Sequence, residues 1–267
     1  MIKYISILCL FLSLTSCTTF QRKVPPVAAK PSIKEELARA RQFIKRGKNK
    51  IALKALHKIT QQQPNSDIAD DAYILAGDIY YQRKAYELAY TSYMNVVNSN
   101  IFSPLEVKAL TSAVKSLFQL GRFDEALALT EQGLRYRNLP LEEKIDLKKQ
   151  KFALLIQLGD RLEAFEILIY LSKNDPNKNN VESYHLKALD YLESNLSREE
   201  LKHIARNRNL GEMRAYAYFR LGKQFFELRE FSDAKEHLEE VINLLPNSEI
   251  SETAIHLISH IDARRKV

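Results

Sequence analysis

The stretch Tyr218-Phe219-Arg220-Leu221-Gly222-Lys223-Gln224-Phe225, with Phe231, Ala234, Leu238 and Pro246 after it, decides how this chain folds. Its residue types suit two antiparallel helices in close contact. Gly222 and Ala234 are small enough to let the helices approach, while Tyr218, Phe225 and Leu238 fill the space between them. Pro246 has no backbone N–H and a fixed φ, so it cannot continue the second helix and sets the turn to the next element. Ala234 precedes Pro246 by twelve residues, and the same interval separates Ala52 from Pro64 and Ala164 from Pro176. The alanines Ala52, Ala89, Ala126 and Ala164 are spaced by 37, 37 and 38 residues, and Ala234 follows 70 later. A small residue and a closing proline recurring about every 34–38 residues predict stacked helix pairs.

Working outward, the same pattern is found in Phe43, Gly47, Ala52, Leu56 and Pro64, and in Tyr73, Gly77, Tyr80, Tyr86, Ala89 and Tyr93 with the proline displaced to Pro104. Leu117, Gly121, Phe123 and Ala126 form another unit, with Thr130 in a place otherwise apolar, and Leu155, Gly159, Ala164, Leu168 and Pro176 a further one. Residues 181–210 keep a helical period but neither the small residue nor the proline, so a degenerate fifth unit is expected there. Ser248 and Glu252 ahead of the apolar run Ile255–Ile261 predict a capping helix with Ser248 as its N-cap.

These units resemble the tetratricopeptide repeat, and the likeness extends over nearly the whole chain past residue 32. It implies an all-α, right-handed solenoid of antiparallel helix pairs, with five or six repeats plus the C-terminal cap over residues 33–267. Composition agrees. Seven glycines and no tryptophan in 267 residues disfavour turn-rich β folds and glycine-loop nucleotide folds.

The N-terminus reads differently. Lys3 precedes an apolar stretch from Tyr4 to Leu14, too short to span a bilayer but of the length of a secretory signal. It ends in Leu14-Thr15-Ser16-Cys17, which resembles the lipobox of bacterial lipoproteins. That resemblance implies a signal peptide over 1–16 and a diacylglyceryl thioether at Cys17; the alternatives are an ordinary signal peptide with a chance cysteine, or a buried helix. Both cysteines lie in the first 17 residues, so the processed chain would hold no free thiol. The residues 17–32 contain three prolines and no helical period, which predicts a semi-extended tether. Thr18, not Asp, follows Cys17, which in enterobacterial lipoproteins directs export to the outer membrane.

No phosphate loop, His-Glu-x-x-His, paired-cysteine motif or nucleophile elbow occurs, so no enzyme and no cofactor are expected. His256 and His260 lie one helical turn apart with Asp262 nearby, but two ligands without a third define no metal site. Asp70-Asp71, Glu142-Glu143 and Glu239-Glu240 are adjacent acids, which on a helix point apart.

Binding residues follow from the repeat phase. In the tetratricopeptide family the first helix of each unit lines the concave face. The residue after the core position of each unit is Ile44, Tyr81, Phe118, Ile156 and Phe226. This apolar row either lines a groove for a partner peptide or packs between neighbouring units. Arg41, Asp78, Lys115, Lys149 and Lys223 are the polar neighbours expected on the same face.

Charge is concentrated at one end. The chain is +7 overall, yet residues 34–58 alone hold Lys34, Arg39, Arg41, Lys45, Arg46, Lys48, Lys50, Lys54 and Lys58 against Glu35 and Glu36. Residues 59–267 are mildly acidic. A basic first unit beside a lipid anchor suits anionic headgroups or an acidic envelope polymer, or is simply a solvated face. Nucleic acid is not an expected partner of an exported chain.

The expected protein is therefore a lipid-anchored scaffold at the periplasmic face of the outer membrane, holding protein partners in envelope assembly. Its plan is similar to the barrel-assembly component of the BamD type and to the helical N-terminal part of penicillin-binding-protein activators, and its final repeat to that of the Tol-Pal-associated periplasmic coordinator. A non-catalytic accessory of peptidoglycan synthesis or transport, binding glycan or a synthase, is the other reading.

Overall fold

A computed structural model of the chain describes residues 32–99 and 103–264. The signal peptide, Cys17 and most of the tether lie outside the described residues. Among those described there are thirteen α-helices, one 3-10 turn and no strand.

The helices run α1 (Ile33–Lys45), α2 (Asn49–Gln62), α3 (Asp67–Gln82), α4 (Tyr86–Val97), α5 (Glu106–Gln119), α6 (Phe123–Leu134), α7 (Leu141–Leu158) and α8 (Arg161–Asn174). They continue as α9 (Lys178–Asn195), α10 (Arg198–Arg206), α11 (Met213–Glu227), α12 (Phe231–Leu244) and α13 (Glu249–Arg264). Pro64, Pro104, Pro140, Pro176 and Pro246 all fall between units, where a helix must end or begin.

One turn is repeated five times. The chain enters the left-handed region at Gly47 (φ 70°), Lys84 (59°), Gly121 (72°), Gly159 (80°) and Arg229 (62°). The following N–H then reaches back to a carbonyl five residues earlier. Lys48 donates to Phe43 at 2.8 Å, Ala85 to Tyr80 at 2.9 Å, Arg122 to Leu117 at 3.0 Å, Asp160 to Leu155 at 3.0 Å and Glu230 to Phe225 at 2.9 Å. This is a Schellman closure, which caps the first helix and reverses the chain so that the second packs against it. The alanines of the repeat, Ala52, Ala89, Ala126, Ala164 and Ala234, are fully buried at the helix crossings. Gly222 shows why the crossing needs small residues: a Cβ there would stand 2.8 Å from the Leu238 side chain.

The fifth pair departs from the pattern. Between α9 and α10 the chain has no left-handed residue. Leu196 is extended, and Ser197 starts α10 with a capping box to Glu200. The backbones of α9 and α10 scarcely approach each other, whereas every other consecutive pair of helices packs along its length. Helix α9 instead packs on α8 and α11, and α10 on α11. Leu201 is fully buried near the start of α10, where the other second helices carry alanine. Residues 181–210 thus hold two helices but not a closed hairpin, which is why the motif is missing from them.

The core is a chain of three contiguous clusters. One lies between Leu37 and Ile79, one between Ile74 and Leu154, and one between Ile145 and Ile261. All three clusters are built within residues 33–264, so the segment from Ser32 onward carries a hydrophobic core of its own. Helix α13 closes the stack, with Ser248 Oγ accepting the Ser251 N–H at 3.3 Å. No helix of the described residues is long and apolar enough to cross a membrane.

Candidate partner-binding site

The expected apolar row occupies one position of the first helices, just before the Schellman turn. Ile44, Tyr81, Phe118 and Phe226 are half-buried, and Ile156 is exposed. In three units the row aromatic meets the first residue of the second helix edge to face: Tyr81 on Tyr86 and Phe118 on Phe123 at 5.3 Å, Phe226 on Phe231 at 5.8 Å. Such pairs contribute about 0.5–1.5 kcal/mol beyond their burial. One edge of each ring thus braces its own unit, and the other stays open.

Between α3, α5 and α7 the open edges of Tyr81 and Phe118 line a shallow depression of about 130 Å³, completed by Lys115, Gln119, Gln150 and Ala153. Its surface is mostly carbon, and it has room for one medium apolar side chain. Gln150 Oε1 is buried there without a hydrogen-bond partner among the described residues. A buried acceptor left unmatched is costly. Burial, with the neighbouring Tyr86, raises the Tyr81 phenol above its ordinary value, so its hydroxyl stays a neutral donor at this rim.

The polar residues expected beside the row are placed as follows. Arg41 pairs with Asp71 at 2.9 Å. Asp78 accepts the Tyr93 hydroxyl at 2.8 Å, and burial together with that carboxylate pushes the Tyr93 phenol up. Lys223 lies 3.4 Å from Glu193. Lys115 is exposed and makes no ion pair among the described residues. Lys149 sits seven residues before Ile156, one helical turn beyond the place its counterparts take. It pairs with the buried Asp175 at 3.1 Å and stands 6.0 Å from the Tyr184 ring centre. Burial opposes the Asp175 charge, but the Asn177 N–H, Lys149 and Asn180 outweigh it and hold the carboxyl below its ordinary value. The place equivalent to Lys115 in this unit belongs to Ala153. Its spacing of 38 from Lys115 matches that of Ala164 from Ala126. That interval was the signal for Ala153; Gln150 had none, since its significance comes from burial.

At the other candidate surface, Arg39, Arg41, Lys45, Arg46, Lys48, Lys50, Lys54 and Lys58 are all exposed. Lys58 contacts Glu36 and Arg41 contacts Asp71. His256 and His260 have ring centres 5.4 Å apart, but Asp262 is held by Lys235 at 2.8 Å. No group of three or more potential metal ligands occurs among the described residues. Of the adjacent acids, Asp70 is buried and Asp71 faces Arg41.

The comparisons with known proteins agree with this architecture. Residues 216–248, which hold the final helix pair and its closing proline, match the tetratricopeptide repeat family. A tetratricopeptide repeat protein from Parabacteroides merdae ATCC 43184 is 15% identical, covering 85% of this chain and 98% of its own, with a TM-score of 0.50. Pseudomonas aeruginosa pilF is also 15% identical, covering 83% and 95% with a TM-score of 0.47. No curated protein sequence matches the chain. The fold is thus a tetratricopeptide-like α-solenoid, an architecture that serves as a scaffold for protein–protein interaction, and the matches indicate no enzyme family.

Proposed function

We propose that this protein is a lipid-anchored scaffold of the bacterial cell envelope, which holds an extended segment of a protein partner across the first helices of its solenoid. The observation that carries the binding half is the largely apolar depression between α3, α5 and α7, lined by the half-buried rings of Tyr81 and Phe118. An apolar partner side chain fits between Tyr81 and Phe118. The anchoring half is supported by Leu14-Thr15-Ser16-Cys17 after an apolar stretch of signal length. On this reading the chain is held at the periplasmic face of the outer membrane and acts in its assembly or maintenance.

The two halves are tested separately. For the groove, a photo-crosslinking residue at Gln119 captures partners in cells, with one at Arg135 as control. Ala153→Arg fills the depression without removing a core group. The expected result is crosslinking from 119, not 135, and its loss in Ala153→Arg with unchanged melting. Crosslinks that survive Ala153→Arg place the partner elsewhere. For the anchor, Cys17→Ser is expected to abolish lipid labelling and free the protein from the membrane fraction; labelling that persists refutes a lipid at Cys17.

A further inference from the structure

We infer that the first helix pair carries a second interaction surface, a docking face for the anionic headgroups of a lipid bilayer. Arg39, Lys45, Arg46, Lys48, Lys50 and Lys54 are exposed and make no ion pair among the described residues. The two carboxylates of α1 are spent locally. Glu35 accepts the Ser32 N–H at 3.0 Å in the capping box of α1, and Glu36 holds Lys58. The field of the remaining cations is therefore uncompensated. Further along the chain cations more often sit on acids, as Arg122 does on Glu87 and Glu125, Lys151 on Glu131 and Glu163, and Lys235 on Asp262.

Two features favour a membrane over a soluble polyanion. Ile51 is 48% exposed amid Lys48, Lys50 and Lys54, at the start of α2. An exposed apolar side chain with lysines on either side of it along the chain suits the boundary between headgroups and acyl chains, where the apolar part enters and the charges stay at the phosphates. The surface is also the part of the fold nearest in sequence to Cys17, the anchor proposed above. Fourteen residues lie between Cys17 and Ser32, a reach of at most about 54 Å. A lipid there would hold the face at high effective concentration over the bilayer. The docking face rests on that reading only for its strength in the cell, since the cations act on any anionic bilayer.

The test uses residues 32–267, which carry the whole described core and lack Cys17, so the outcome is independent of lipidation. Binding is measured by co-sedimentation with vesicles of phosphatidylglycerol and phosphatidylcholine, against vesicles of phosphatidylcholine alone, over a series of salt concentrations. The protein is expected to bind the anionic vesicles, more weakly as salt rises, and not the neutral ones. Each basic group near such a surface is worth about fivefold in affinity. Replacing Arg46, Lys48, Lys50 and Lys54 by Glu should therefore lower binding by well over tenfold. The control replaces the exposed Arg135, Arg137, Lys173 and Lys178 by Glu, the same change of net charge, and should stay within about twofold. Circular dichroism confirms that both variants keep their helices. Equal losses in the two variants would make binding a matter of net charge and sink the proposal. So would binding to heparin without binding to anionic vesicles at low salt, which would assign the surface to a soluble acidic polymer.

Discussion

A single backbone position, the left-handed residue after each first helix, does much of the folding work. Three units place glycine there and two place Lys84 and Arg229. An L-residue in this region costs about 1–2 kcal/mol, partly offset because glycine loses about 0.4–1 kcal/mol more entropy on folding. Two substitutions at the same turn should thus act in opposite directions. Gly121→Ala is expected to destabilise by about 1 kcal/mol, and Arg229→Gly to stabilise by up to about 1 kcal/mol, both read from denaturant midpoints. Equal signs would mean that contacts of the side chain, not the backbone, govern the turn. Asp70 is a second informative residue. It is buried in α3, and burial raises its carboxyl above the ordinary 3.8, against the opposing hydrogen bond of Ser103 and with the help of Asp67 and Asp71. The folded state then holds this proton to higher pH than the unfolded chain does. Its contribution to stability is full at low pH and is lost as pH rises through the folded value. Asp70→Asn removes the penalty, so it should melt above the parent at pH 7 and together with it at pH 3; a variant that melts lower at pH 7 would show that the charged form is needed.

At the scale of elements, the closed pairs were legible in the sequence and the open one was not. Ala52, Ala89, Ala126, Ala164 and Ala234 mark places where two backbones cross too closely for a larger side chain, so packing writes a period into the residue types. Between α9 and α10 no such crossing exists, and nothing constrains residues 181–210 beyond an apolar face. The row of Ile44, Tyr81, Phe118, Ile156 and Phe226 was legible as a row, but whether it braces or binds depends on ring orientation. The edge-to-face pairs show that three of its aromatics brace their own units. Lys149 was misplaced by one turn: the position three residues before Ile156, equivalent to Lys115 before Phe118, is Ala153. Gln150 was illegible, since an unmatched acceptor is a property of three helices together. With no Schellman turn to start it, α10 relies on its capping box: Ser197 Oγ accepts the Glu200 N–H at 3.3 Å, and Glu200 accepts the Ser197 N–H at 2.6 Å. Ser197→Ala should lower stability by about 1 kcal/mol, with hydrogen exchange in α10 rising more than in α9. A uniform rise would mean that the two helices form one cooperative unit after all.

For the whole molecule, the order of contacts matters more than any single contact. Nearly every packed pair joins a helix to the next or the next but one, and the backbones of α1 and α2 pack closely on each other and on α3. Stability in such an array is a sum of unit terms and nearest-neighbour interfaces, so damage at one end need not be felt at the other. Leu56 is fully buried in the cluster between Leu37 and Ile79, remote from the cluster that α11–α13 share. Leu56→Ala should cost about 2–5 kcal/mol, enough to speed amide exchange in α1 and α2 by about thirtyfold or more. The amides of α11–α13 should keep their protection, because those helices can open and close without α1 and α2. If exchange instead rose by the same factor along the entire chain, the solenoid would be unfolding as one two-state body. The independence of its ends would then be excluded. That independence has a functional side: the basic first pair could meet a bilayer, or loosen there, without disturbing the helices α11–α13 at the far end.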